Sequence, residues 1–117
     1  MIFYLKDEAI SDDTHIMALG GEVDLSANPA FKEMLDRLLD QGKSRLLIDL
    51  SETTFIDSTA IGALMVGLRR LRESGGSLEL ICANRNVLRV FEIVGLDQEV
   101  PIHSTREEAL HALAGTV

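Results

Sequence analysis

The segment FIDSTAIGAL, residues 55–64, places two adjacent hydroxyls beside a carboxylate. Asp57, Ser58 and Thr59 stand where an apolar stretch passes into residues with helical spacing. Oxygens at such a position cap a helix by accepting hydrogen bonds from the free N–H groups of its first turn. A serine hydroxyl there could also act as a nucleophile or accept a phosphate. The rest of the chain decides between these three chemistries.

A serine nucleophile finds no support elsewhere in the sequence. The chain has no G-x-S-x-G motif, in which a sharp turn exposes the reacting serine. None of its three histidines, His15, His103 and His111, is placed by sequence to act as a base for Ser58. P-loop and GxGxxG motifs are also missing. We therefore expect no catalytic residue and no enzymatic activity.

The carboxylates raise a second possibility, an acidic pocket that holds a metal ion and receives phosphate on aspartate. Asp24, Asp49 and Asp57 are the candidates. Receivers of this kind also need an acidic pair after the first strand and a lysine after a late strand. Lys6 and Lys43 are the nearest lysines, and neither follows a late strand. We therefore predict no metal site and no cofactor.

Composition narrows the class of protein. The chain has 117 residues, which is typical of a single domain over 1–117, and 46% of them are apolar. A net charge of −8 argues against binding nucleic acid or anionic lipid, which requires positive charge. The single cysteine, Cys82, lies in an apolar segment and is predicted to be an inert core thiol. No signal peptide or membrane span is evident, so we expect a cytoplasmic protein without membrane insertion.

Alternating strands and helices are predicted to position the hydroxyl segment. The predicted strands are 2–9, 14–20, 45–50, 78–83 and 100–103. The first predicted helix has Asn28 as its cap and Pro29 as its first residue, and it ends at Gly42. The second runs from 58 to 74, and the third starts at Asn84 or Asn86 and ends at Gly95. The fourth is capped by Thr105 and runs to about 114. A short turn at 11–13 indicates an antiparallel hairpin, and the later alternation indicates parallel strands with helical crossovers. Gly20-Gly21 ends the second strand or permits a bulge, and residues 51–57 read as a loop.

The second helix has one apolar face and one face of small residues. The small residues are Thr59, Gly62, Ala63 and Val66. Together with the loop around Asp24, we expect this face to dock a protein partner, although helix–sheet packing would also explain small residues. Ser58 lies at the carboxyl edge of the sheet and at a helix N-terminus, where negative charge is favoured. Phosphate there would add about −1.5 to −2 charges beside Asp57.

FIDSTAIGAL, preceded by RLLIDLSETT, resembles the phosphorylation-site segment of the anti-sigma factor antagonists, in the STAS-domain family. GEVDLSANPAF, ESGGSLELICANRNVLRVFEIVGL and a final helix follow in the family's order, so the resemblance covers nearly the whole chain. It implies a STAS-like α/β fold, with a mixed sheet and about four helices mainly on one face. The family commonly has Asp-Ser-Ser-Gly where this chain has residues 57–60 as Asp-Ser-Thr-Ala.

The resemblance implies a regulator of transcription. The unmodified protein would bind an anti-sigma factor that is also a serine kinase, and so release a sigma factor. Phosphorylation of the matching serine, Ser58, would dissociate the complex, and a phosphatase would restore it; Thr59 is the less favoured acceptor. Asp24 matches an acidic family residue close to this serine and to the partner, and Asp57 matches the residue before it. The family also suggests a monomer.

Two alternatives stay open. A STAS-like domain without the switch would be a constitutive adaptor, for example in a lipid-transport or sensory complex. A small-ligand or nucleotide-binding domain would instead need a pocket with convergent polar groups.

Overall fold

The computed structural model describes residues 3–42 and 44–115, and its centre is a five-stranded sheet in the order β1-β2-β3-β4-β5. The strands are β1 Phe3–Ala9, β2 Thr14–Val23, β3 Arg45–Ile56, β4 Ser77–Ile81 and β5 Ile102–His103. β1 pairs with β2 antiparallel, and the other neighbours pair parallel. The predicted mixed sheet is confirmed. Residue 2 and Lys43 lie outside the described residues.

Within the residues that the structure describes, four helices connect and follow the strands. They are α1 Asn28–Asp40, α2 Ser58–Glu73, α3 Arg85–Val94 and α4 Arg106–Gly115, with short 3-10 turns at Leu25–Ala27 and Leu96–Gln98. α1, α2 and α3 share the main core with one face of the sheet. Ala109 of α4 packs on the other face, against Ile16, Leu47 and Ile81. The expected arrangement, with helices mainly on one face, is confirmed.

The third strand is longer than its apolar segment. We predicted an end at Leu50 and a loop over 51–57, but β3 continues to Ile56. β3 can continue because its partner β2 does not end at Gly20-Gly21 and runs on to Val23. We predicted that this double glycine either ends β2 or permits a bulge, and the register between β2 and β3 is irregular there. The buried Thr53 hydroxyl donates to the Leu19 carbonyl at 2.8 Å, which holds the polar half of β3 to β2.

The start of the first helix also differs from the prediction. Asn28 is the first helical residue rather than the cap, and Pro29 is the second, while Ala27 precedes them without a side-chain hydrogen bond. The capping carboxylate lies upstream, because Asp24 caps the 3-10 turn that leads the chain into α1. The capping group is thus one turn earlier than the helix itself.

The later caps are close to the predicted ones. Asn84 caps α3, and Gly95 ends it in the left-handed conformation that favours glycine. Thr105 accepts a hydrogen bond from the Glu108 N–H at 3.1 Å, whereas the Glu108 carboxylate accepts from Ser104 rather than from Thr105. The strands β4 and β5 are shorter than predicted.

The turn after α2 requires a glycine because two backbone segments meet there. A Cβ on Gly76 would stand 2.3 Å from the Ser44 carbonyl oxygen, which accepts the Ser77 N–H at 2.7 Å. Only a residue without a side chain lets β4 begin beside β3 at this distance.

We predict that Gly76→Ala lowers the free energy of unfolding by about 1–3 kcal/mol, as overpacking typically does. The matched control is Gly62→Ala, where the added methyl meets open space on a helix. That change should raise stability by up to about 1 kcal/mol, because alanine favours helix over glycine. Urea unfolding of both variants measures this. Equal stability of Gly76→Ala and the parent chain would contradict the prediction.

Candidate functional site

The hydroxyl segment lies where two parallel strands end side by side. Val23 of β2 pairs with Ile56 of β3, and the next residue, Asp57, donates its N–H to the Val23 carbonyl at 3.1 Å. The first turn of α2 and the 3-10 turn that follows β2 are therefore neighbours. This is the carboxyl edge of the sheet at which we expected Ser58.

Asp57 is the cap of α2. Its carboxylate accepts the Ala60 N–H at 3.0 Å and the Thr59 hydroxyl at 2.6 Å. Burial alone would raise the pKa of Asp57, but the hydrogen bonds from Thr59 and Ala60, together with the nearby Leu25 backbone, outweigh it and lower the pKa below its ordinary value. Asp57 thus caps α2 with its carboxylate and joins the helix to the end of β2 with its N–H.

Asp24 caps the neighbouring turn in the same way. One of its carboxylate oxygens accepts the Ser26 N–H at 2.9 Å and the Ser26 hydroxyl at 2.5 Å. The two expected acidic residues are therefore on adjacent turns, since Asp24 follows Val23 and Val23 is bonded to Asp57. Each carboxylate organises a turn and adds negative charge beside Ser58.

The two neighbouring hydroxyls differ in availability. Ser58 and Thr59 are both exposed. The Thr59 hydroxyl donates to Asp57, whereas the Ser58 hydroxyl has no hydrogen-bond partner among the residues that the structure describes. Ser58 is also the first residue of the 16-residue α2, where the helix dipole favours an added anion. Of the two, Ser58 is the hydroxyl ready to react without breaking a contact.

The face of small residues is mostly open. Thr59 and Gly62 are exposed, a Cβ added to Gly62 would meet open space, and 49% of Val66 is exposed. Core packing, the alternative explanation, is wrong for Gly62. It holds in part for Ala63, which is half-buried and packs against the main core.

Sequence reasoning missed three residues of α2 and the 3-10 turn. Leu25, in the 3-10 turn, is 66% exposed, and Met65, on α2, is 40% exposed. Gly67 is the small residue that does serve packing, because a Cβ there would stand 2.7 Å from a methyl of the buried Leu35 on α1. Its position on the apolar face of α2 could have identified Gly67; no pattern in the sequence distinguishes an exposed Leu25 from a buried one.

The other titratable candidates are engaged elsewhere. His15 contacts Asp7 at 2.8 Å and His103 contacts Glu79 at 2.6 Å. Asp49 is held by Arg106 of α4 at 3.2 Å, on the face of the sheet opposite the main core. Asp24, Asp49 and Asp57 therefore serve three different local contacts.

Cys82 is buried in the main core, as predicted. Within 3–42 and 44–115, no group of three or more histidine, cysteine, aspartate or glutamate side chains is arranged to hold a metal ion. Over the same residues, no helix combines the length and the apolar character needed to cross a membrane.

Comparison with known proteins identifies a family that the sequence matches. The sequence profile of the family described as "STAS domain" matches residues 6–109. The chain is 32% identical over 89 residues to the anti-sigma-B factor antagonist of Bacillus subtilis (strain 168), covering 76% of this chain and 81% of that protein.

Two solved structures show the same fold at low identity. An anti-sigma factor antagonist from Mycobacterium paratuberculosis matches with a TM-score of 0.86 at 22% identity, covering 95% of this chain and 93% of that one. The Bacillus cell fate determinant SpoIIAA in its phosphorylated form matches with a TM-score of 0.77 at 22% identity, covering 94% and 99%. The expected STAS-like fold is confirmed.

We predict that Asp57→Ala lowers the free energy of unfolding at pH 7 by about 1 kcal/mol, the usual effect of losing a cap. Because folding lowers the pKa of Asp57, its contribution is complete above the ordinary value of 3.8 and is lost as pH falls through the folded-state pKa. The difference from the parent chain should therefore shrink at acid pH.

Urea unfolding between pH 7 and pH 2 measures this difference. The control is Glu33→Ala, which removes an exposed carboxylate of α1 and should change stability by no more than about 0.5 kcal/mol. A loss at Asp57 that stays constant down to pH 2 would show that its charge is not the stabilising feature.

Proposed function

Because the chain belongs to the STAS domain family, we propose that it is an anti-sigma factor antagonist, which binds an anti-sigma factor and so releases a sigma factor for transcription. The 32% identity to an antagonist of this kind supports the role. The observation that carries it is the free, exposed hydroxyl of Ser58, which stands at the N-terminus of α2 beside an open docking surface. The protein acts by binding rather than by catalysis.

The docking surface consists of the first turns of α2 and the neighbouring 3-10 turn. Its residues are Asp24, Asp57, Ser58, Thr59, Gly62, Ala63 and Val66. Gly62 leaves the helix backbone open, so a partner can approach it closely. The two carboxylates hold both turns in place, which reduces the ordering cost of binding.

Phosphorylation of Ser58 by the anti-sigma factor, acting as a serine kinase, switches the contact off. The hydroxyl oxygen forms a bond to the terminal phosphorus of ATP, the bond from that phosphorus to the bridging oxygen breaks to release ADP, and the hydroxyl proton passes to a base on the kinase. The helix N-terminus accommodates the new anion, so the fold survives the modification. A structural neighbour of the same fold has been solved in a phosphorylated form.

The switch works through charge and desolvation at the interface. A dianion on Ser58 enters a surface that already carries Asp24 and Asp57, and its hydration is lost when a partner docks. About 1.4 kcal/mol is enough to change affinity tenfold. A phosphatase then restores the binding form, and the chain works as a monomer.

The first experiment is the intact mass of the protein after incubation with ATP and each serine-kinase anti-sigma factor encoded in the same genome. We expect the parent chain and Thr59→Ala to gain one phosphate, and Ser58→Ala to gain none. Thr59→Ala is the matched control, because it removes the adjacent hydroxyl and leaves Ser58 in place. Phosphate on Ser58→Ala would assign the site to another residue.

Binding to the same anti-sigma factor tests the consequence. We expect Ser58→Asp to weaken the complex at least tenfold. Ser11→Asp adds the same charge to the exposed turn between β1 and β2, at the other end of the sheet, and should leave the affinity unchanged. Equal affinities for the parent chain and Ser58→Asp would favour the constitutive adaptor.

A further inference from the structure

The side chain of Leu25, in the 3-10 turn beside the start of α2, is exposed rather than packed in the core. We propose that Leu25 is the apolar anchor of the anti-sigma factor contact, entering an apolar pocket on that partner, and that Asp57 is the residue that positions it. The inference rests on the proposed function and adds to it the residue from which the contact gains its affinity.

Leu25 is the most exposed apolar side chain beside Ser58. It is 66% exposed, in a turn that contacts α2. Single exposed leucines are common on protein surfaces, but this one is accompanied by Val66 and Met65 of α2, at 49% and 40% exposure. The 3-10 turn and α2 therefore each expose apolar side chains.

Leu25 is also held in place before any partner arrives. Asp24 caps the turn of Leu25 through the Ser26 N–H, and the Leu25 backbone lies close enough to the Asp57 carboxylate to lower its pKa. The Asp57 N–H donates in turn to the Val23 carbonyl at 3.1 Å. An anchor whose backbone is already ordered loses little conformational entropy on binding.

The charges of this region favour an apolar contact over an ionic one. The carboxylates of Asp24 and Asp57 already accept hydrogen bonds from their own turns. The Leu25 side chain is therefore the group whose burial by a partner gains the most free energy. Binding energy at interfaces is concentrated in a few buried side chains with charged groups at the rim. A phosphate on Ser58 would add charge at the edge of this apolar contact, where loss of hydration is costly.

The test measures the affinity of Leu25→Ala for the anti-sigma factor that phosphorylates the parent chain. We expect a loss of about tenfold or more. Ile10→Ala is the matched control, because Ile10 is a 41% exposed aliphatic residue in the hairpin turn at the opposite end of β2. It should bind within about twofold of the parent chain, and urea unfolding should show both variants as stable as the parent.

A double-mutant cycle with Asp57→Ala tests the positioning role. If Asp57 acts through Leu25, Asp57→Ala weakens binding in the parent chain and has a much smaller effect in the Leu25→Ala background. A purely structural role would move the unfolding curve by the same amount in both backgrounds and leave the two affinity losses additive. Additive losses would overturn the positioning role.

The remaining outcomes separate this inference from the proposed function. If no anti-sigma factor binds the parent chain, both are overturned. If the parent chain binds, Ser58→Asp does not, and Leu25→Ala binds as tightly as the parent, the switch stands and the anchor is overturned. Equal losses for Leu25→Ala and Ile10→Ala would also overturn it, because the effect would not be local.

Discussion

The parallel pairing of β2 with β3 over their full length is the constraint on which the site depends. It brings Val23 and Ile56 level at one edge of the sheet, so that the residues after each strand become neighbours. The Asp57 N–H then donates to the Val23 carbonyl, and the Asp57 carboxylate lies close to the backbone of Leu25. If β2 stopped at its double glycine, or β3 at Leu50, the two capped turns would lie apart.

The small residues of α2 lie in two different environments. Gly67 faces α1, where a methyl group would meet Leu35, and so permits close helix packing. Gly62 faces open space, where alanine would make a better helix. A glycine that costs helix stability and fills no packing requirement is consistent with a surface shaped for a partner.

The order of the strands and helices could be predicted from the sequence because apolar periodicity, caps and glycines mark most of the elements. The far half of β3 could not, because Ser51 to Thr54 are polar and are held in the sheet by β2 rather than by their own propensity. The cap of α1 was misplaced for a related reason. Asn28 and Pro29 form a typical helix start, but Asp24 had already ordered the preceding turn.

The candidate site, like the fold, could be predicted from the sequence only in part. Ser58, Asp57 and the small face follow from helical spacing and from the resemblance to a family. Which hydroxyl is free depends on the Thr59–Asp57 hydrogen bond, and that bond becomes visible only when the rotamers are known. The exposure of Leu25 depends on a 3-10 turn for which the sequence has no distinct signal.

The departure from the family's Asp-Ser-Ser-Gly pattern can now be understood in physical terms. Ala60 is 3% exposed and belongs to the main core, so its methyl fills space inside the protein and does not reach the docking surface. Thr59 bonds to Asp57 through a hydroxyl that serine would also supply, and Thr59 is an exposed residue. Both replacements therefore leave the Ser58 hydroxyl at the N-terminus of α2 and the capping carboxylate of Asp57 in place. The change at the protein surface is therefore confined to one methyl group beside Ser58.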